Sequence, residues 1–225
     1  MKKIVTVSLG SSKHDFKFET DFLGQRFQVK RLGADNDTSK AWELLRRHQA
    51  QADAIGLGES GDHWQVGQST VTNKATERLL NVVTRVPATS GARLRRLLQV
   101  RAVRHVQHSL GSYFNNNITL FFSGARNWDM AYALSDYTPN LQFADALTQT
   151  GAPKMLTSLQ QLELYAKGHD LALSGKPGEF LEGLLPGFKS KRLAAAVAKA
   201  HLIVGTYAEI KAVGSAANLE GKTLI

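Results

Sequence analysis

The sequence predicts an α/β protein in two lobes. A mixed α+β lobe, residues 1–111, precedes an incomplete Rossmann-like parallel sheet, residues 112–225. Three observations predict this. Short apolar runs alternate with helical patterns after residue 117, as in βαβ units. Before residue 60 the strand-like runs crowd together around turn residues. Between the two patterns, Gly111-Ser112 and Asn115, Asn116 and Asn117 form a break in composition.

Each element follows from local pattern. Residues 3–9 are an apolar strand. Residues 14–20 alternate, with Phe16 and Phe18 on one face, Gly24 turns the chain, and 26–32 resume as a third strand. Asp35 to Asp37 offer a cap to a helix at 38–51 that carries Trp42, Leu44 and Leu45. A short strand at 53–58 ends in glycines, and 64–66 forms a small strand. Residues 74–83 read as helix, and Pro87 ends that stretch. Thr89, Ser90 and Gly91 precede a helix at 92–110. In the second lobe, 117–122, 141–144 and 201–207 are strands, and 221–225 begins another. Helices are expected at 128–134, 156–167 and 192–200, with a loop-rich stretch at 175–187.

Bulk properties narrow the class. Hydrophobic residues make 43% and charged residues 21% of the 225, which is ordinary for a globular chain. No apolar run approaches the roughly 18 residues of a membrane span, so no membrane partner is expected. The start of the chain reads as a strand rather than a secretory signal. With no cysteine, disulfides and thiolate chemistry are excluded, and a cytoplasmic setting is expected. The net charge of +9 suits phosphates and carboxylates as well as nucleic acid. Arg93, Arg95, Arg96, Arg101 and Arg104 share a helix with Leu94, Leu97, Leu98, Val100, Val103 and Val106. Few aromatics stand among those arginines, so a solvated helix face is favoured over a nucleic-acid surface.

Three loops are candidate anion sites. Gly56-Leu57-Gly58-Glu59-Ser60-Gly61 is a literal GxGxxG after a strand, but 62–67 reads as a hairpin where a dinucleotide fold needs a helix. Ser123-Gly124-Ala125-Arg126-Asn127 has the right strand–loop–helix context and one glycine. There Ser123, Gly124 and Arg126 are the phosphate candidates. Asp145, at the end of the next strand, is the ribose candidate. The competing reading makes Asp145 a turn cap. Ser8-Leu9-Gly10-Ser11-Ser12-Lys13 is the third loop, with Gly10, Ser11 and Ser12 as substrate contacts and Lys13 as the proton-transfer candidate. A plain turn is the alternative there. Ser90 is a further substrate candidate or a simple helix cap. His105 and His108 lack a third ligand in sequence, so no metal is expected.

Several blocks resemble bacterial quinate 5-dehydrogenase-like proteins. They are the segment from Ile4 to Ser12, Val29-Lys30-Arg31-Leu32-Gly33-Ala34-Asp35, and Ala52-Asp53-Ala54-Ile55-Gly56-Leu57-Gly58. Further blocks are 87–94, Met130-Ala131-Tyr132-Ala133-Leu134, Phe143-Ala144-Asp145-Ala146-Leu147 and 201–205. The resemblance implies a dehydrogenase-like oxidoreductase. It would bind NAD or NADP and a hydroxylated carboxylic acid in a cleft between lobes. The chain departs from that family at Ala144-Asp145 and Gly205-Thr206, where the family has Gly-Asp. The family also continues beyond Ile225, so a truncated or inactive relative is one expectation. The alternative is a non-enzymatic binding or regulatory module for a phosphorylated or carboxylated metabolite. Self-association stays open.

Overall fold

The computed structural model describes residues 1–58, 63–168, 191–214 and 218–225. The fold is α/β, as the alternating pattern predicts, and the chain forms two compact units. Unit 1 holds residues 1–63 and 72–94, and unit 2 holds 64–71 and 95–225. The division falls inside a continuous helix at 92–109, whereas the sequence places the composition break at 111–117.

Unit 1 is built on a five-stranded sheet. Its strands are β1 (Lys2–Ser8), β2 (Phe16–Phe22), β3 (Gln25–Gly33), β4 (Ala54–Gly58) and β7 (Ala88–Thr89), in the order β2-β3-β1-β4-β7. All neighbours run parallel except the β2–β3 hairpin. Helix α1 (Thr38–His48) starts at Asp37, whose carboxylate accepts from the Ser39 and Lys40 N–H groups. Helix α2 (Lys74–Leu80) is capped in the same way by Asn73. Ala41 and Leu45 of α1 and Leu79 of α2 bury against Val5, Val7, Ile55 and Leu57. The opposite sheet face carries Ile4, Thr6 and Gly56, all half-buried.

Unit 2 is built on four parallel strands: β8 (Thr119–Phe121), β9 (Leu141–Phe143), β10 (Leu202–Val204) and β11 (Thr223–Leu224). Their order is β11-β10-β8-β9. Both faces are covered, which explains the unbroken apolar run Leu120-Phe121-Phe122. Phe121, Phe143 and Leu202 pack with α3 (Ala92–Ser109), α4 (Trp128–Ser135) and α6 (Leu159–Gly168) through Val103, Leu134 and Leu162. Leu120, Phe122 and Ile203 pack with α7 (Lys191–Lys199) and α8 (Tyr207–Gly214) through Leu193, Val197 and Val213. The hairpin of β5 (His63–Val66) and β6 (Ser69–Thr72) gives Val66 to the first of these faces, with Phe121 and Phe143. The N–H of Gln68 donates to Glu163 of α6 at 3.1 Å.

Several expectations need correction. The helix expected at 156–167 begins at Leu159, because Leu156 pairs with Phe143 through backbone hydrogen bonds of 2.8 and 3.0 Å. The strand expected at 201–207 stops at Val204, and Tyr207 begins α8. Asp145 opens a short helix, α5 (Asp145–Thr150), rather than ending a strand. In α3 the valines face the core, but Leu94, Leu97 and Leu98 are exposed beside the arginines. The loop-rich stretch 175–187 lies outside the described residues, as do residues 59–61 of the GxGxxG. Its first two glycines lie within β4, where a Cβ on Gly56 would meet Thr6 Oγ1 at 2.9 Å. They serve strand packing there, and the hairpin at 63–72 follows instead of a helix.

Candidate functional site

In both units the first parallel strand is central. The second lies on one side of it and the third on the other. The order therefore reverses at β1/β4 and at β8/β10. The crevice outside the carboxyl ends of such strands is where open α/β sheets bind ligands. The loops that sequence reasoning selects, after β1 and after β8, both lie at these switch points.

The loop after β8 joins Ser123, Gly124, Arg126 and Asp145 in one cluster. Asp145 is fully buried. Its Oδ2 accepts from the Gly124 N–H at 2.8 Å and its Oδ1 from the Ala125 N–H at 3.0 Å. Gln149 Nε2 donates to Oδ1 at 3.4 Å. Burial pushes the Asp145 carboxyl up to about 6. The two backbone hydrogen bonds oppose that rise and Glu209 adds to it. Ser123 Oγ donates to buried Glu209 Oε1. Arg126 is half-buried; burial lowers its guanidinium pKa, and the charges of Glu209 and Asp145 oppose that. Tyr165 Oη donates to Gln149 Oε1 at 3.1 Å, and burial raises its phenol.

This geometry corrects the ribose assignment. Both Asp145 oxygens face inward onto loop N–H groups, and neither is open to a ribose. The turn-capping alternative describes what Asp145 does. Gly124 is explained by packing, since a Cβ there would collide with Phe143 Cδ1 and sit 3.1 Å from Asp145 Oδ2. Asp145 holds the two N–H groups, so any anion reaches them only by displacing that carboxylate, and the single glycine faces the core where a dinucleotide loop would turn it to the pyrophosphate.

Glu209 was missed in the sequence, and a signal for it existed. Thr206-Tyr207-Ala208-Glu209 is a Thr-x-x-Glu capping box. The Thr206 N–H donates to Glu209 Oε2 at 2.7 Å, and the Glu209 N–H donates to Thr206 Oγ1 at 3.3 Å. Reading 201–207 as one strand hid the box. Gly205 stands where a Cβ would meet Phe122 Cδ2 at 2.7 Å.

In unit 1, Gly10, Ser11, Ser12 and Lys13 lie together after β1, with Lys13 exposed. The loop is stitched to the β3–α1 turn. The Ala34, Asp35 and Asn36 N–H groups donate to the Ser8, Gly10 and Leu9 carbonyls at 2.8, 3.0 and 2.7 Å. Asp35 and Asn36 hold φ of 55° and 62°, which short polar residues tolerate. Arg31 donates to the Ser11 carbonyl and to Ser8 Oγ, both at 3.0 Å. Asp35 Oδ1 accepts from the Ser12 N–H at 2.6 Å, and Lys40 Nζ donates to Asp35 Oδ2 at 2.6 Å. The Lys40 ammonium, followed by the Ser12 N–H, holds the Asp35 carboxyl well below its ordinary range. Ser90 stands apart, after β7. Its Oγ accepts from the Ala92 N–H at 3.3 Å across Gly91, whose φ is 73°, just before α3 begins. Lys13, Gly10, Ser11, Ser12 and Ser90 thus belong to unit 1, and Ser123, Gly124, Arg126 and Asp145 to unit 2. Among the described residues, no three His, Asp or Glu side chains are grouped to hold a metal. Nor, among them, is any helix long and apolar enough to cross a membrane.

Fold and site together define an α/β protein with one mixed and one parallel sheet, in each of which an acid past the second parallel strand accepts from N–H groups of the loop after the first. The chain belongs to the family described as Domain of unknown function (DUF8754), which matches residues 93–225. A second family, described as Domain of unknown function (DUF8753), matches residues 3–90. The two matches meet close to the division between the units. No curated protein matches the chain.

Proposed function

We propose that the protein binds a small anionic metabolite, a carboxylate or phosphate ester, at the loop after β8. The ligand enters in exchange for the Asp145 carboxylate. One observation carries this reading: the Gly124 and Ala125 N–H groups, at the carboxyl end of a switch-point strand, already hold a carboxylate. Those donors suit an anion by construction. Asp145 is a costly occupant above pH 6, because its charge is buried. We assign the ligand's second oxygen to Arg126, the half-buried cation of this loop, whose charge interacts with Asp145 and Glu209. A cytoplasmic setting is part of the proposal.

This is the binding-module reading, without redox chemistry. Hydride transfer with NAD or NADP and a hydroxylated carboxylic acid would need a pyrophosphate on the same two N–H groups. It would also need a partner for Lys13, which belongs to the other unit.

The test is thermal shift of wild type and Asp145→Asn with phosphate, citrate, NAD and NADP. Asp145→Asn removes the competing charge, so a small anion is expected to stabilise the variant more than wild type. Stabilisation by the dinucleotides alone would favour the dehydrogenase reading. No response from either protein to any of the four would overturn the site.

A further inference from the structure

We propose that the outer edge of β2 is a self-association surface on which a second copy of this chain pairs antiparallel, centred on Glu19. The two unit-1 sheets would then join into one. β2 is the edge strand of its sheet, and all seven of its residues are exposed. Phe16, Phe18 and Phe22 are 47%, 48% and 63% exposed, a large apolar outlay for a strand edge in water.

The backbone defines which groups are free. Leu23 and Gly24 have φ of 50° and 74°, as in a two-residue type I′ turn. Phe22 and Gln25 are then the closing hydrogen-bonded pair. Even-numbered residues of β2 therefore direct their N–H and C=O groups to β3. The N–H and C=O groups of Lys17, Glu19 and Asp21 point outward, as a template for another strand.

A two-fold pairing must be self-complementary, and β2 is so on both faces. Centred on Glu19, it sets Lys17 of each copy opposite Asp21 of the other, twice over. On the second face it sets Phe16 opposite Phe22 and Phe18 opposite Thr20. Glu19 meets its own counterpart, a like-charge contact. Each Glu19 carboxylate, however, accepts from Arg26 Nε and Nη2 at 3.3 and 3.1 Å and from Gln28 Nε2 at 3.3 Å. The same guanidinium lies 3.5 Å from Asp21 Oδ2 through Nη1, so one cation serves both carboxylates of this face, and Lys17 is the cation left for the partner's Asp21. Centring on Lys17 or Asp21 instead opposes Lys17 to Lys17, or Asp21 to Asp21. Charge thus selects both the occupant and the register.

The experiment is sedimentation equilibrium on the full chain as wild type, Lys17→Asp, Asp21→Lys and the double swap. The three variants change only exposed side chains, and circular dichroism checks that each folds. Wild type is expected to show a concentration-dependent dimer. Each single swap places two like-charge pairs in the junction and weakens it about tenfold. The double swap restores it. A monomeric wild type up to near-millimolar concentration would overturn the proposal. So would a dimer indifferent to the single swaps, or a double variant as weak as the singles.

Discussion

The two units close their switch-point loops with the same device and load it oppositely. In each, an acid just past the second parallel strand accepts hydrogen bonds from N–H groups of the loop after the first strand. Asp35 does this for Ser12, and Asp145 for Gly124 and Ala125. Asp35 is exposed and bound by Lys40, which favours its charge. Asp145 is buried under a sheet covered on both faces, which disfavours its charge. One motif thus gives a carboxylate held low in one unit and raised to about 6 in the other. The causes differ: Lys40 and the Ser12 N–H hold Asp35 low, and burial raises Asp145.

The largest way to break the comparison is to remove each acid. At pH 5, Asp145→Ala strips the acceptor from two buried N–H groups. It is expected to lower stability by about 3 kcal/mol in urea denaturation. Asp35→Ala, in water, is expected to shift the same midpoint little.

The pH dependence follows with opposite signs. Asp145 titrates near 6 when folded, above its ordinary 3.8. Its contribution is full below pH 3.8 and is lost as pH rises through 6, by about 3 kcal/mol. Asp35, held low, contributes above 3.8 and loses that contribution as pH falls. The difference in unfolding free energy between wild type and Asp145→Asn isolates the first effect. It should change between pH 4 and 7 and be flat above.

A glycine supports each loop from a different side, and alanine tests both. A Cβ on Gly33 would lie 2.5 Å from the backbone of Ser11 and Ser12. One on Gly124 would press the Phe143 ring. Both variants are expected to lose about 2 kcal/mol. Only Gly33→Ala should move the Ser11 and Ser12 amide resonances by displacing their backbone. The smallest effect expected is for Ser123→Ala, about 1 kcal/mol, from the lost bond to Glu209.

Much of this was legible in the sequence. Apolar runs and periods located β1, β3, β4, β8, β9, α1 and α3: alternation or helical spacing marks the half-covered elements, and a short unbroken apolar run marks β8, which is covered on both faces. The residues Ser123, Gly124, Arg126 and Asp145 were grouped by spacing alone, and they do meet. Their roles were not legible. Spacing says that Asp145 reaches the loop, but not whether its oxygens face a ligand or the loop's own N–H groups. That depends on packing by Phe143 and Leu162. Glu209 was hidden because the apolar pattern through Val204 ran on into Tyr207, masking a helix start. The exposure of Leu94, Leu97 and Leu98 in α3 is not legible, since amphipathic spacing does not say which apolar residues meet the core.

The central claim is that Asp145 closes the second loop from a buried position. A carbon-13 NMR titration of its carboxyl tests it most directly, with the Gly124 and Ala125 amide protons followed alongside. A midpoint near 6, shared by the two amides, is the expected result. A midpoint near 4 with unmoved amides would contradict the account.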